Sequence, residues 1–181
     1  MAKIVVVQVG NPIIRAVSEP FTVEEILQPT TAELLKIMRA ALKEAGGVGI
    51  AACQVGVNKR VFIVHIAKTK NRPNVTPVAL YVVFNPEIIW LSSKPETDWE
   101  GCLSVAEANL FAEFKRPHEI RVKYLDEQAQ QVEKRLNGIE ARVFMHETDH
   151  FSGKIFLDHK PDTKSFMSGN EYRAMRKRQI T

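Results

Sequence analysis

The sequence predicts an α+β fold: mostly antiparallel β-sheets around one central helix, with a second helix at the C-terminal end. Three observations carry this. Short β-branched and aromatic runs recur at residues 60–66, 80–84 and 120–125. The connections between strands are too short for helical crossovers, so the sheets should be largely antiparallel. Long helical patterning is confined to residues 31–44, 138–150 and 168–179.

In chain order, residues 4–7 are apolar and β-branched and read as a strand or a packed N-terminal arm; Gly10-Asn11-Pro12 marks a turn. Thr30 with Glu33 forms the pattern of a capping box, and Leu34, Leu35, Met38, Leu42 and Ala45 share one face of the helix that follows. Gly46-Gly47 ends it. The run from Leu80 to Phe84 should stop at Pro86, and Ile88 to Leu91 should resume it. Ile120 to Leu125 alternates like a half-buried strand; 126–128 is a turn, and Gln131 to Leu136 returns as a hairpin partner. Asn137-Gly138 opens the central helix, which runs to about His150 with Gly153 as its stop.

The chain of 181 residues suits a single domain spanning 1–181, and 45% hydrophobic with 25% charged residues is ordinary for a globular protein. No apolar run approaches a membrane span, and the first residues lack a signal-peptide core, so the expected setting is cytoplasmic with no membrane partner. A formal charge of +4 is too small to mark a nucleic-acid binder. The basic run Arg173 to Arg178 reads either as a solvated helix end or as a handle for an anionic partner such as ribosomal RNA. In a cytosolic chain Cys53 and Cys102 should be reduced, leaving at least one free as ligand or nucleophile.

The strongest chemical signal is His146-Glu147-Thr148-Asp149-His150, an H-E-x-x-H pattern on the predicted helix. Two imidazoles one turn apart on one face can reach a single metal ion. Glu147 projects about 100° away, near enough to reach a water at the site without becoming a ligand. A shuffled chain of this composition shows the pattern roughly once in a hundred cases. A hydrolytic site needs a third protein ligand and an open position. Asp158, His159 and Asp162 downstream, or Cys102 upstream in Glu100-Gly101-Cys102-Leu103-Ser104, could supply it. A third segment, Gly47 to Gln54, is rich in glycine and alanine, which leaves its backbone accessible, and Gln54 adds an amide donor for an oxyanion. It is no phosphate loop, because the lysine is missing, and no dinucleotide fingerprint, because Ala52 stands at the third glycine.

These three segments, in this order, resemble the peptide deformylase family, with its G-x-G-x-A-A-x-Q, E-G-C-L-S and H-E-x-D-H motifs. Gly10 to Arg15, Asn85-Pro86 and the turn at Leu125-Asp126-Glu127 also resemble family segments, and the likeness extends over residues 10 to 158. The resemblance implies that Cys102, His146 and His150 bind the metal and that Glu147 is general base and acid. It also implies that Gln54 and the backbone N–H of Leu103 stabilise the oxyanion, and that Gly49 and Glu100 bind substrate. The implied activity is removal of the formyl group from N-terminal formylmethionine of new polypeptides. The implied cofactor is one divalent ion, usually Fe(II), with zinc, nickel or cobalt able to replace it. The departures are Met145 where the family usually has Gln, Cys53 in place of Pro, and Val105-Ala106-Glu107 after Ser104 where V-P-G is common. They leave the ligand set intact and bear on the peptide groove. Two other readings remain open at this level: an H-E-x-x-H metallopeptidase with a downstream ligand, and a deformylase-like binding module that no longer turns over.

Overall fold

The computed structural model describes residues 5–70 and 72–178. In chain order its main elements are α1 (Val23–Ile26), α2 (Pro29–Ala45), β1 (Gly49–Ala51), β2 (Val61–Ile66), β3 (Val78–Leu91), β4 (Pro95–Gly101), β5 (Leu110–Pro117), β6 (Glu119–Leu125), β7 (Gln131–Asn137), α3 (Gly138–His150), β8 (Met167–Ser168) and α4 (Gly169–Arg178). One sheet has the order β1-β2-β3-β6-β7 and a smaller one β4-β5-β8. Every pairing between these strands is antiparallel, as expected.

β2 is the hinge of the packing. Its residues Val61 to Val64 are all buried, so over this stretch neither face of the strand meets solvent. Because side chains alternate across a strand, Phe62, Val64 and Ile66 enter one core and Val61 and Ile63 the other. α2 closes the second core with Leu35, Met38 and Leu42. α3 closes the first with Ala141, Val143 and Phe144, and Phe144 meets Phe62 edge to face at 4.9 Å between ring centroids. α3 is buried around most of its circumference, from Ala141 through Glu147 and again at His150, which keeps its polar groups from water.

Several local expectations change in the tertiary context. The helix predicted from residue 31 starts at Pro29, a residue suited to a first helical turn, so Thr30 lies inside it and cannot cap. The capping box belongs instead to Thr22 and Glu25 on α1. Ala45 is exposed, whereas Leu35, Met38 and Leu42 are buried as expected. Pro86 does not stop β3. The register against β6 shifts between Phe84 and Glu87, and this bulge accommodates a residue that has no N–H to give. Asn85 sits there at φ 47°, held by hydrogen bonds of its side chain to the backbone N–H (2.9 Å) and C=O (2.8 Å) of Phe21.

The N-terminal segment is a packed arm: the Val7 and Val9 amides donate to Gln54 O and Ser104 O at 2.9 and 2.7 Å. Ile4 and Gln179, the outer ends of two expected elements, lie outside the described residues. β4 and β5 were not foreseen, because Pro-Glu-Thr-Asp-Trp-Glu-Gly has little β-branched character. Their pairing with each other holds them extended across α3.

Removing the edge-to-face contact under α3 by Phe144→Ala should cost about 3–5 kcal/mol, read as a fall in the denaturant midpoint. A loss below about 1 kcal/mol would mean that α3 is held by other contacts.

Candidate metal centre

His146 and His150 project from one face of α3, with ring centroids 5.4 Å apart. β4 ends at Gly101 and hands Cys102 to them: its Sγ lies 3.5 Å from His150 Nε2. The three ligating atoms lie within 4.8 Å of one another, all from side chains that are buried or nearly so, and no other such trio of His, Cys or acidic groups occurs among the described residues. The downstream candidates are engaged elsewhere. Asp158 pairs with Arg15 and accepts from Ile155 N at 2.8 Å, Asp162 accepts from Lys164 N at 2.9 Å, and His159 contacts Asp149 at 2.7 Å.

The donor set suits a transition-metal ion: one soft thiol and two imidazoles. His146 Nδ1 lies 2.9 Å from Glu100 Oε2, which fixes a proton on Nδ1; burial lowers its pKa, but Cys102 and Glu100 outweigh this and raise it, so Nε2 would give up its proton to become a ligand. His150 is fully buried, and its pKa is pushed down to about 3 by burial first and by the nearby positive charge of His146 and Arg15. It is therefore neutral, as a ligand must be. His150 Nδ1 and Glu147 Oε2 are both buried with no hydrogen-bond partner. Such orphaned groups are costly in a mere core and are common at functional sites.

Glu100, expected at the substrate, lines the cavity, and its carboxylate is held by the protein. Arg116 grips both its oxygens at 2.8 and 3.0 Å, Arg142 donates to Oε1 at 2.9 Å, and Oε2 also receives His146. Burial opposes its charge, but His146 and Arg116 outweigh this and hold its pKa down at about 2. No lone pair is left pointing at a ligand, so Glu100 orients His146. Arg116 also donates to Asp149 at 2.8 Å, which ties the H-E-x-D-H aspartate into the same network. Arg116 and Arg142 were not singled out from the sequence. Arg142 carried a usable signal, a charged residue four before His146 and hence on its face.

Glu147 turns its carboxylate toward β1. A Cβ at Gly49 would sit 2.4 Å from Glu147 Oε1, so only glycine fits. Burial pushes the Glu147 pKa up to about 7; Glu100 and Asp149 add to the rise and His146 opposes it. Gln54 accepts from Ala51 N at 2.8 Å through Oε1, which turns its NH₂ toward Cys102 Sγ (3.6 Å) and Ser104 Oγ (3.2 Å). Leu103 follows Cys102 in a single 3-10 turn. Cys53 is fully buried and its thiol is driven up to about 12, chiefly by burial, so it acts as packing. Met145 packs in the same core as Phe144. His65 is exposed on β2. A cavity of about 530 Å³ opens from Cys102, His146 and Glu147 past Gly49 and Gln54 toward α4.

A model of the polypeptide deformylase family matches residues 3–166. The chain belongs to the peptide deformylase family. It is 36% identical over 162 residues to the peptide deformylase of Leptospira biflexa serovar Patoc, covering 89% of each chain. It is 33% identical over 177 residues to peptide deformylase 2 of Xanthomonas campestris pv. campestris, covering 98% of each. Among solved structures, the Met-Ala-Ser-bound class I type b peptide deformylase of Acinetobacter baumannii superposes with a TM-score of 0.82 at 34% identity. That match covers 87% of this chain and 99% of the other. Peptide deformylases are metal-dependent hydrolases, and the Cys102, His146 and His150 cluster is where this member could bind its ion.

Freeing His146 by Glu100→Gln should weaken metal affinity about 10- to 100-fold. Competition against a chromogenic chelator measures it, and an unchanged affinity would remove Glu100 from the support of the site.

Proposed function

We propose that this chain hydrolyses the formyl amide of N-terminal formylmethionine on nascent polypeptides, with Cys102, His146 and His150 holding one divalent ion. The observation that carries this reading is the convergence of three ligating atoms within 4.8 Å beside a buried, unpartnered carboxylate. The A. baumannii relative's complex with Met-Ala-Ser, the peptide left after such a cleavage, supports a peptide substrate. A thiolate with two imidazoles suits Fe(II), and zinc, nickel or cobalt can take the same donors. The catalytic domain is taken as the whole chain, 1–181. Among the described residues no helix is long and apolar enough to cross a membrane, in keeping with work in the cytoplasm.

Bound at this site, the ion supplies Lewis acidity, which lowers the pKa of water toward about 7 and polarises the formyl carbonyl. Glu147 accepts the proton of the attacking water and delivers it to the departing amine nitrogen, so water and formyl amide become formate and a free N-terminus. A carboxylate with a pKa near neutrality suits both halves of that transfer. Gln54 Nε2, aimed by the Ala51 amide, and the backbone N–H of Leu103 donate to the developing oxyanion, each worth ~3 kcal/mol. Gly49 lies on β1, the edge strand of its sheet, where an extended peptide can add backbone hydrogen bonds. Lys177 and Arg178, exposed at the end of α4, would make the contact with ribosomal RNA that brings the enzyme to new chains.

Glu147→Gln should keep its metal by elemental analysis and lose about 10²- to 10⁴-fold in formate release from formyl-Met-Ala-Ser. Retention of full turnover would remove Glu147 from the proton transfer. For the ribosomal contact, co-sedimentation with ribosomes should weaken in the Lys177→Ala/Arg178→Ala variant; equal pelleting of variant and parent rejects it.

A further inference from the structure

α4 lies beyond the family match, which ends at residue 166, yet it walls the substrate cavity through Tyr172, Arg173 and Arg176. Its position is built in. β8 pairs with β5 at Leu110↔Ser168 and Phe111↔Met167, and Gly169 N donates to Asn109 O at 2.7 Å. A Cβ at Gly169 would lie 2.1 Å from Asn109 Oδ1, so a larger residue at the strand-to-helix corner would have to push the Asn109 amide aside. Tyr172 then lies flat on Phe111, with ring centroids 4.2 Å apart and planes at 10°. Phe111 in turn fills the space a Cβ at Gly101 would need, at 2.7 Å, immediately before Cys102.

This wall is cationic. The Arg176 guanidinium packs over the Tyr172 ring at 5.8 Å and stands 3.8 Å from Asp98. Arg173 is one turn away on the same helix, bonded to Asn170 at 2.6 Å. Arg72, on the loop after β2, also lines the cavity; its Nη2 donates to Gly46 O at 3.2 Å and its Nε is buried with no hydrogen-bond partner. Asp98, beside Arg176, also lines the cavity, while Glu100 and Glu147 are buried at the reacting end. A peptide held with its formyl group at that end advances about 3.3 Å per residue. Its methionine stays inside, and only later residues reach α4.

We propose that Arg72, Arg173 and Arg176 form a carboxylate subsite at the solvent end of the cavity, favouring formyl peptides with Asp or Glu at the second or third residue. Guanidinium groups suit this role because their planar fork matches a carboxylate. The inference rests on the deformylase reading for its orientation of the peptide, and its test has a binding readout independent of turnover. C-terminally amidated Met-Ala-Ser, Met-Ala-Asp and Met-Asp-Ser are titrated into the holoenzyme by calorimetry, and kcat/KM is measured for their formylated forms. Amidation leaves the side-chain carboxylate as the acidic group under test.

At low salt at least one acidic peptide should bind about fivefold more tightly than the neutral one, with the same preference in kcat/KM. High salt should erase most of it. The Arg173→Gln/Arg176→Gln variant should bring the acidic-to-neutral ratio close to one, and Arg173→Lys/Arg176→Lys should keep part of it. Equal binding of acidic and neutral amides by the parent enzyme, or a preference that survives in the glutamine variant, overturns the subsite. Turnover of formyl peptides without acidic preference sinks the subsite and leaves the deformylase reading intact. Acidic preference in binding with no formyl hydrolysis does the opposite.

Discussion

The site depends on one buried carboxylate. Glu100 stands on β4, takes two hydrogen bonds from Arg116 on β5, and receives Arg142 and His146 from α3. Three elements distant in the chain are thereby fastened at one point, a residue away from Gly101 and two from Cys102. A charge this deep is tolerable only because its partners are charged, directional and complete; removing one partner of such a buried pair typically costs about 3–5 kcal/mol. Asp149 balances the second charge brought in by the two arginines, so the network is close to neutral as a whole.

Around that anchor the apolar packing is arranged so that a polar helix can be buried. β2 presents Phe62 to Phe144 on α3 and Ile63 to the core under α2, and the double burial holds the central helix rigidly against the sheet. On this support the helix carries groups that a plain core would not tolerate. His150 Nδ1 and Glu147 Oε2 have no protein partner, and Glu147 fits only because Gly49 lacks a side chain. The packing of the two cores offsets the cost of leaving these buried polar atoms unpaired.

The cavity is electrostatically graded. Its lining includes Glu147, a carboxyl near its midpoint of protonation, and toward α4 Arg72, Arg173 and Arg176, with Asp98 beside Arg176. Residues within the family match line most of the cavity, Arg72 and Asp98 included, and α4, which follows the match, adds Tyr172, Arg173 and Arg176.

The sequence by itself determined the periodic features. The five residues from His146 to His150 place two imidazoles on one helical face in any helix they form; β2 reads as a strand from its β-branched and aromatic content and β6 from its alternation. The glycines of residues 47–49 announced a close approach, and the structure shows what approaches: Leu103 at Gly47 and Glu147 at Gly49. Tertiary structure decided the rest. It chose Cys102, 48 residues before His150, over three nearer candidates, and it set Glu100 against His146. It carried β3 through Pro86, extended β4 without β-branched residues, and moved the capping box from Thr30 to Thr22. The physical reason is the same in each case. Local spacing sets which side chains share a face, whereas what that face meets is settled by burial and pairing between segments far apart in the chain, which no local pattern encodes.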